Sequence, residues 1–199
     1  MTLIFVRHGE SQGNRMGVAQ GWRDYPLTDR GRRQAAAVAA RLATVEAVAI
    51  YSSDLSRASA TADIIAAEHD LTARQRAELR EQRFGEREGL SWAQAVERWG
   101  EQVHIGDGQI PGEESTATLR ERVEREFDAL AERHHDEVAI CVAHGGTIRV
   151  AIAHVLGLAP EAYPVVQLEN ASLTVVETDR GGPLIASLND HCHLGAIGE

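Results

Sequence analysis

The sequence is short of every feature that would tie it to an oxidising compartment, a membrane or a nucleic acid. Its two cysteines, Cys141 and Cys192, show neither disulfide nor zinc spacing. Cys141 lies inside an apolar run, as a reduced core residue of a cytosolic protein does. No apolar run approaches the length of a membrane span, and no basic segment followed by a long apolar one opens the chain. Basic residues are in the minority, 20 Lys and Arg against 30 Asp and Glu, for a formal net charge of −10 at pH 7. That balance argues against nucleic acid and anionic membrane as partners, although it does not set the sign of the potential inside a cleft. No repeat, low-complexity stretch or linker interrupts the 199 residues. The expectation is one cytoplasmic domain over 1–199, with 43% hydrophobic content to fill a sizeable core.

What is present is an alternation of strand-like and helix-like patterns. Apolar runs of strand length occur at Leu3–Val6, Val45–Tyr51, Val138–Val142 and Leu173–Val176, with a weaker one at Leu184–Leu188. Between them, Thr28 can cap a helix through Leu42 that aligns Ala35, Val38, Ala39 and Leu42. Ser53 or Asp54 can cap a second, with Leu55, Ala58, Ala62 and Ile65 on one face. Ser115 or Thr116 opens a third, with Leu119, Val123, Phe127 and Leu130 at helical spacing. Gly145-Gly146 opens a fourth through Ile148, Ile152 and Val155, stopped by Gly157. Strands alternating with helices predict an α/β fold, a three-layer α/β/α sandwich around a mostly parallel central sheet. The glycine-rich, charge-mixed piece at about 83–111 reads as a lid-like excursion with a short helix around Ser91–Trp99.

Two of the apolar runs end alike, Leu3–Ser11 as LIFVRHGES and Val138–Gly146 as VAICVAHGG. In an open α/β sheet ligands bind outside the carboxyl ends of the strands. If the two strands are neighbours, His8 and His144 face one small volume, and the glycine after each lets another group come close. The residues around them suit an anion. Arg7 precedes His8, and Arg57 falls in the first turn of a helix, where a cation opposes the helix dipole unless an anion offsets it. Gly145-Gly146 adds backbone donors. Two arginines, two histidines and helix N-termini can balance a phosphoryl dianion with no metal and no cofactor. His191-Cys192-His193 invites a metal reading, but three ligands in a row cannot all reach one ion comfortably.

These stretches also occur in a familiar order. RHGES with Asn14, then QGWRDYPLTDRGRRQA from Gln20, SSDLSRASATA from Ser52, LREQRFGEREGLSW from Leu79, PGEES from Pro111, AHGGTIR from Ala143 and SLNDHCHL from Ser187 together resemble the histidine phosphatase superfamily. The resemblance covers nearly the whole chain and implies a phosphoglycerate mutase-like fold. It further implies a metal-independent phosphomonoester hydrolase acting on small phosphorylated metabolites through a phosphohistidine. A cofactor-dependent phosphoglycerate mutase is the alternative, and a homodimer is compatible with either. By position, His8 would be the nucleophile, Arg7, Arg57 and His144 would surround the phosphoryl group, and Asn14, Ser11, Gln20, Gly21 and Gly145 would contact substrate. Chemistry alone does not choose the proton donor among Glu78, Glu81, Glu86 and Glu88. The family spacing, two residues before a Phe-Gly pair, implies Glu81.

Two positions depart from the family pattern. Glu113 stands where the family usually has a glycine, which leaves the roles of that loop and of Ser115 open, and Asp54 stands where proline is common. A mutase must also shield its phosphohistidine from water. The interval Leu90–Pro111 is short, and its basic residues, Arg98 and His104, face Glu97, Glu101 and Asp107. That composition favours hydrolysis. Trp92 and Trp99 suit either a pocket lining or a core.

Overall fold

A computed structural model describes residues 1–100, 110–159, 162, 166–179 and 182–195. Its centre is a six-stranded sheet in the order β3-β2-β4-β1-β5-β6, built from β1 (Thr2–Arg7), β2 (Ala47–Ser52), β3 (Arg74–Gln75), β4 (Val138–Ala143), β5 (Leu173–Asp179) and β6 (Gly182–Asp190). The first four run parallel; β5 and β6 run antiparallel at one end. The helices are α1 (Gln12–Met16), α2 (Asp29–Leu42), α3 (Ser56–Glu68), α4 (Trp92–Trp99), α5 (Thr116–Arg133) and α6 (Gly145–Val155).

Alternate residues of the central strands feed two cores. Leu3, Phe5, Tyr51 and Cys141 pack with Leu119, Val123, Phe127, Ile148 and Ile152 of α5 and α6. Ile4, Val6, Ile50 and Val142 pack with Val38, Leu42, Ala62 and Ile65 of α2 and α3. Three layers result, because strands apolar on both faces must be covered on both. The alternation in β6 has the same logic. It is an edge strand, and Leu184 and Leu188 remain exposed while Ile185 meets the α5–α6 core.

Thr28, Ser91 and Ser115 cap their helices with side-chain oxygens, and Gly157 ends α6 at φ 61°. Two expectations need correction. Neither Ser53 nor Asp54 caps α3. Leu55 holds the cap position, Ser56 N–H donates to Asp24, Ser53 Oγ accepts from Leu55 N–H and Asp54 pairs with Arg80. Strand β2 starts at Ala47, because Val45 N–H still bonds the carbonyl of Leu42. The short α1, its cap Ser11 and the two-residue β3 had no periodic signal to announce them.

The excursion leaves through a 3₁₀ turn at Gly85–Arg87 and continues into α4; its stretch 101–109, with Glu101, His104 and Asp107, lies outside the described residues. Phe84 bridges to Glu113 where the chain returns, and a Cβ on Gly85 (φ 58°) would stand 2.2 Å from the carbonyl oxygen of Pro111. Trp92 is 56% exposed. Among the described residues no helix is long and apolar enough to cross a membrane.

Candidate active site

The register of β1 on β4 pairs Val6 with Val142 and Arg7 with Ala143, so the next residue on each strand is a histidine. His8 N–H donates to the Ala143 carbonyl at 3.0 Å, and the two imidazole rings meet edge to face with centroids 5.1 Å apart. His8 Nδ1 lies 2.7 Å from the Gly9 carbonyl. A carbonyl can only accept, so Nδ1 carries the proton and Nε2 keeps its lone pair. The glycine after His8 admits backbone rather than ligand, since a Cβ on Gly9 would sit 2.4 Å from the Gly31 carbonyl oxygen at the start of α2.

Arg7 and Arg57 converge on this pair. Arg7 Nη1 bonds the Leu168 carbonyl. Arg57, 1% exposed, donates from Nη2 to Gly21 O at 2.7 Å and from Nη1 to Arg23 O at 3.2 Å. Among the described residues both guanidinium groups bond carbonyls rather than carboxylates, while the charges of Glu81 and Glu169 reach Arg7 and those of Glu81, Asp24 and Glu88 reach Arg57. Arg7 Nε, Arg57 Nε and both ring nitrogens of His144 are buried and have no hydrogen-bond partner among the described residues. Burial is the main force holding His8 and His144 well below the usual histidine pKa, with the positive charges of Arg57 and Arg7 adding to it. Burial also lowers both arginines from a value so high that they stay charged. The outcome is two neutral imidazoles between two cations, a cradle in which an anion replaces missing countercharge.

Of the four glutamates, Glu81 is the one the fold turns toward this cradle. Its Oε2 accepts from Gly146 N–H at 3.1 Å, at the start of α6, and its Oε1 from Gln82 N–H at 2.9 Å. Its charge acts on both Arg7 and Arg57. Glu86 pairs with Arg98 at the surface, Glu88 Oε1 accepts from Trp22 and Phe84 N–H, and Glu78 acts on Arg80 and Glu126.

The remaining expected contacts divide. Asn14 is brought beside the strand end, where its Oδ1 accepts from Ser11 and from Asn170 Nδ2, which also donates to His8 O at 3.0 Å. Ser11 Oγ is turned inward, 2.8 Å from Asn14 Oδ1 and 2.6 Å from Gln20 Oε1, with one proton to give between them, so these side chains close the loop on each other. Gly21 offers its carbonyl to Arg57, and Gly145 is packed against Arg149 and Arg7. Asn170 escaped the sequence reading, because a lone asparagine in a loop carries no periodic signal. At the chain's end, His191 and His193 bond different carbonyls, those of Asn189 and Ala171.

A sequence profile of the histidine phosphatase superfamily (branch 1) matches residues 3–191. The chain is 34% identical over 204 residues to a metal-independent phosphoserine phosphatase of Arabidopsis thaliana, covering 98% of this chain and 84% of that protein. It is 32% identical over 206 residues to the probable phosphoglycerate mutase GpmB of Salmonella paratyphi C, covering 98% and 96%. The solved structure of Bacillus stearothermophilus YhfR superposes with a TM-score of 0.86 at 28% identity, covering 97% of this chain and 98% of that one.

Proposed function

Because the chain belongs to the histidine phosphatase superfamily, we propose that it hydrolyses small phosphomonoesters without a metal, through a phosphohistidine on His8. The observation that carries this reading is the hydrogen bond between His8 Nδ1 and the Gly9 carbonyl, which leaves Nε2 unprotonated inside a cationic cradle. In the first step the Nε2 lone pair forms a bond to phosphorus while the ester P–O bond breaks. Arg7, Arg57 and His144 stabilise the equatorial oxygens, and protonated Glu81 gives its proton to the departing alkoxide. In the second, water attacks the phosphorus, Glu81 takes its proton, and the N–P electrons return to Nε2 as inorganic phosphate leaves. The depressed pKa of His8 serves this scheme, since a protonated His8 has no lone pair to give.

The test is acid-quenched trapping with labelled substrate. An acid-labile phosphoryl group on His8 that is lost in His8→Ala supports the mechanism, and label on any other residue defeats it. A release screen over phosphorylated metabolites then names the substrate. The similarity to GpmB favours mutase activity as a second reading. Against it, Arg98, the described cation of the excursion's second half, is already paired with Glu86. Incubation with 3-phosphoglycerate and a trace of 2,3-bisphosphoglycerate separates the two readings. Exchange that clearly outpaces phosphate release from every monoester tried would make the protein a mutase.

A further inference from the structure

On the reading of Glu81 as the proton donor, we propose that Arg122 of α5 is the residue that positions it, by clamping together the two ends of the excursion that begins just after it. The guanidinium spends all five of its N–H donors on this one junction. Nε and Nη2 form a fork onto Glu114 at 2.7 and 2.9 Å. Nη1 donates to the carbonyls of Glu78 and Arg80 at 2.7 and 2.8 Å, and Nη2 donates also to the carbonyl of Glu81 itself at 2.9 Å. The ion pair is largely shielded, with 13% and 9% of the two side chains exposed.

Glu114 is the far end of the excursion. Its amide donates to Arg83 O, its carbonyl accepts from Gln82 Nε2, and its Oε2 accepts from Arg83 N–H. The residues that leave toward the lid and the residues that return from it are therefore tied to one another and to α5. Trp22 Nε1 and Thr147 Oγ1 secure two of the same carbonyls, those of Glu81 and Arg80. Thr147 belongs to α6, so it shares with Arg122 the holding of this backbone against the helix whose first turn the Glu81 carboxylate meets, and Arg122 is the group that also joins it to Glu114. Lysine cannot replace Arg122, because three donors on one nitrogen cannot span five oxygens.

The experiment compares kcat/KM for phenyl phosphate, whose leaving group needs a proton, with p-nitrophenyl phosphate, whose leaving group needs it less. Arg122→Met should lower the phenyl ester on the order of 10- to 100-fold, as a small displacement of a catalytic group does, and the p-nitrophenyl ester by a clearly smaller factor. Arg122→Lys and Glu114→Gln should move the ratio in the same direction, and they decide the matter if Arg122→Met does not fold. In a Glu81→Gln background, adding Arg122→Lys should leave the ratio where Glu81→Gln put it, because both changes remove one function. Equal losses on the two esters in the Arg122 and Glu114 variants, or a ratio that moves further in the double variant, would sink the clamp while leaving Glu81 as the acid. A ratio unmoved by Glu81→Gln alone would remove the acid assignment and the clamp with it.

Discussion

His8 and His144 stand edge to face at the ends of two neighbouring parallel strands, their ring planes 61° apart. Among the described residues neither is paired with a carboxylate. The same burial and the same two arginines that keep both rings neutral also make them a liability in acid, and this leads to the first prediction.

Stability should fall as the pH drops through and below 6.5, the ordinary histidine value. In that window the unfolded chain takes protons that the native histidines refuse, so the unfolded state gains. The loss approaches about 1.4 kcal/mol per pH unit for each histidine until its native pKa is reached. Denaturant unfolding between pH 7.5 and 5 should show this slope in the wild type and a shallower one in His144→Gln. An unchanged slope in the variant would mean that His144 is not one of the groups responsible.

Glu81→Gln should retain affinity for vanadate and lose rate by a factor on the order of 10² to 10⁴ on alkyl monoesters. Losses of the same size on alkyl and p-nitrophenyl esters would take the proton donor elsewhere.

Gly21→Ala should cost both stability and phosphate binding. Gly21 sits at φ 51°, and a Cβ there would lie 2.3 Å from Glu88 Oε1 and 2.8 Å from the backbone nitrogen of Phe84. Strain of this kind costs about 1–3 kcal/mol, and the Gly21 carbonyl that moves is the one that holds Arg57 Nη2. Gly17→Ala is the control. Its φ is 66° with no atom within 4 Å of the added carbon, so inhibition by phosphate should be unchanged.

Activity should survive exhaustive chelation, and vanadate and free phosphate should inhibit competitively. Arg7 and Arg57 already supply the countercharge that a divalent ion would bring. Loss in EDTA with recovery on adding back one metal would contradict the electrostatic argument.

Local rules made much of this protein readable from its sequence. Strands β1 and β4 are continuously apolar because they are covered on both faces, and Thr28 and Ser115 cap because their oxygens reach a backbone N–H within the same turn. Two such strands ending in His-Gly already placed His8 and His144 at equivalent edges, but whether the strands are neighbours stayed open until the sheet order set β4 beside β1. Chemistry alone did not separate Glu81 from three nearby glutamates; it took family spacing to single it out, and its meeting with Gly146 spans 65 positions of chain. The inward turn of Ser11 onto Gln20, the bond from Asn170 to His8 O and the grip of Arg122 on Glu114 and the Glu81 carbonyl are likewise set by packing. Sequence patterns record what a residue does within its own element. Which hydrogen-bonding side chains face a shared volume, and which are consumed in closing it, is decided when separate elements dock, because only then does each donor find the acceptor that burial obliges it to have.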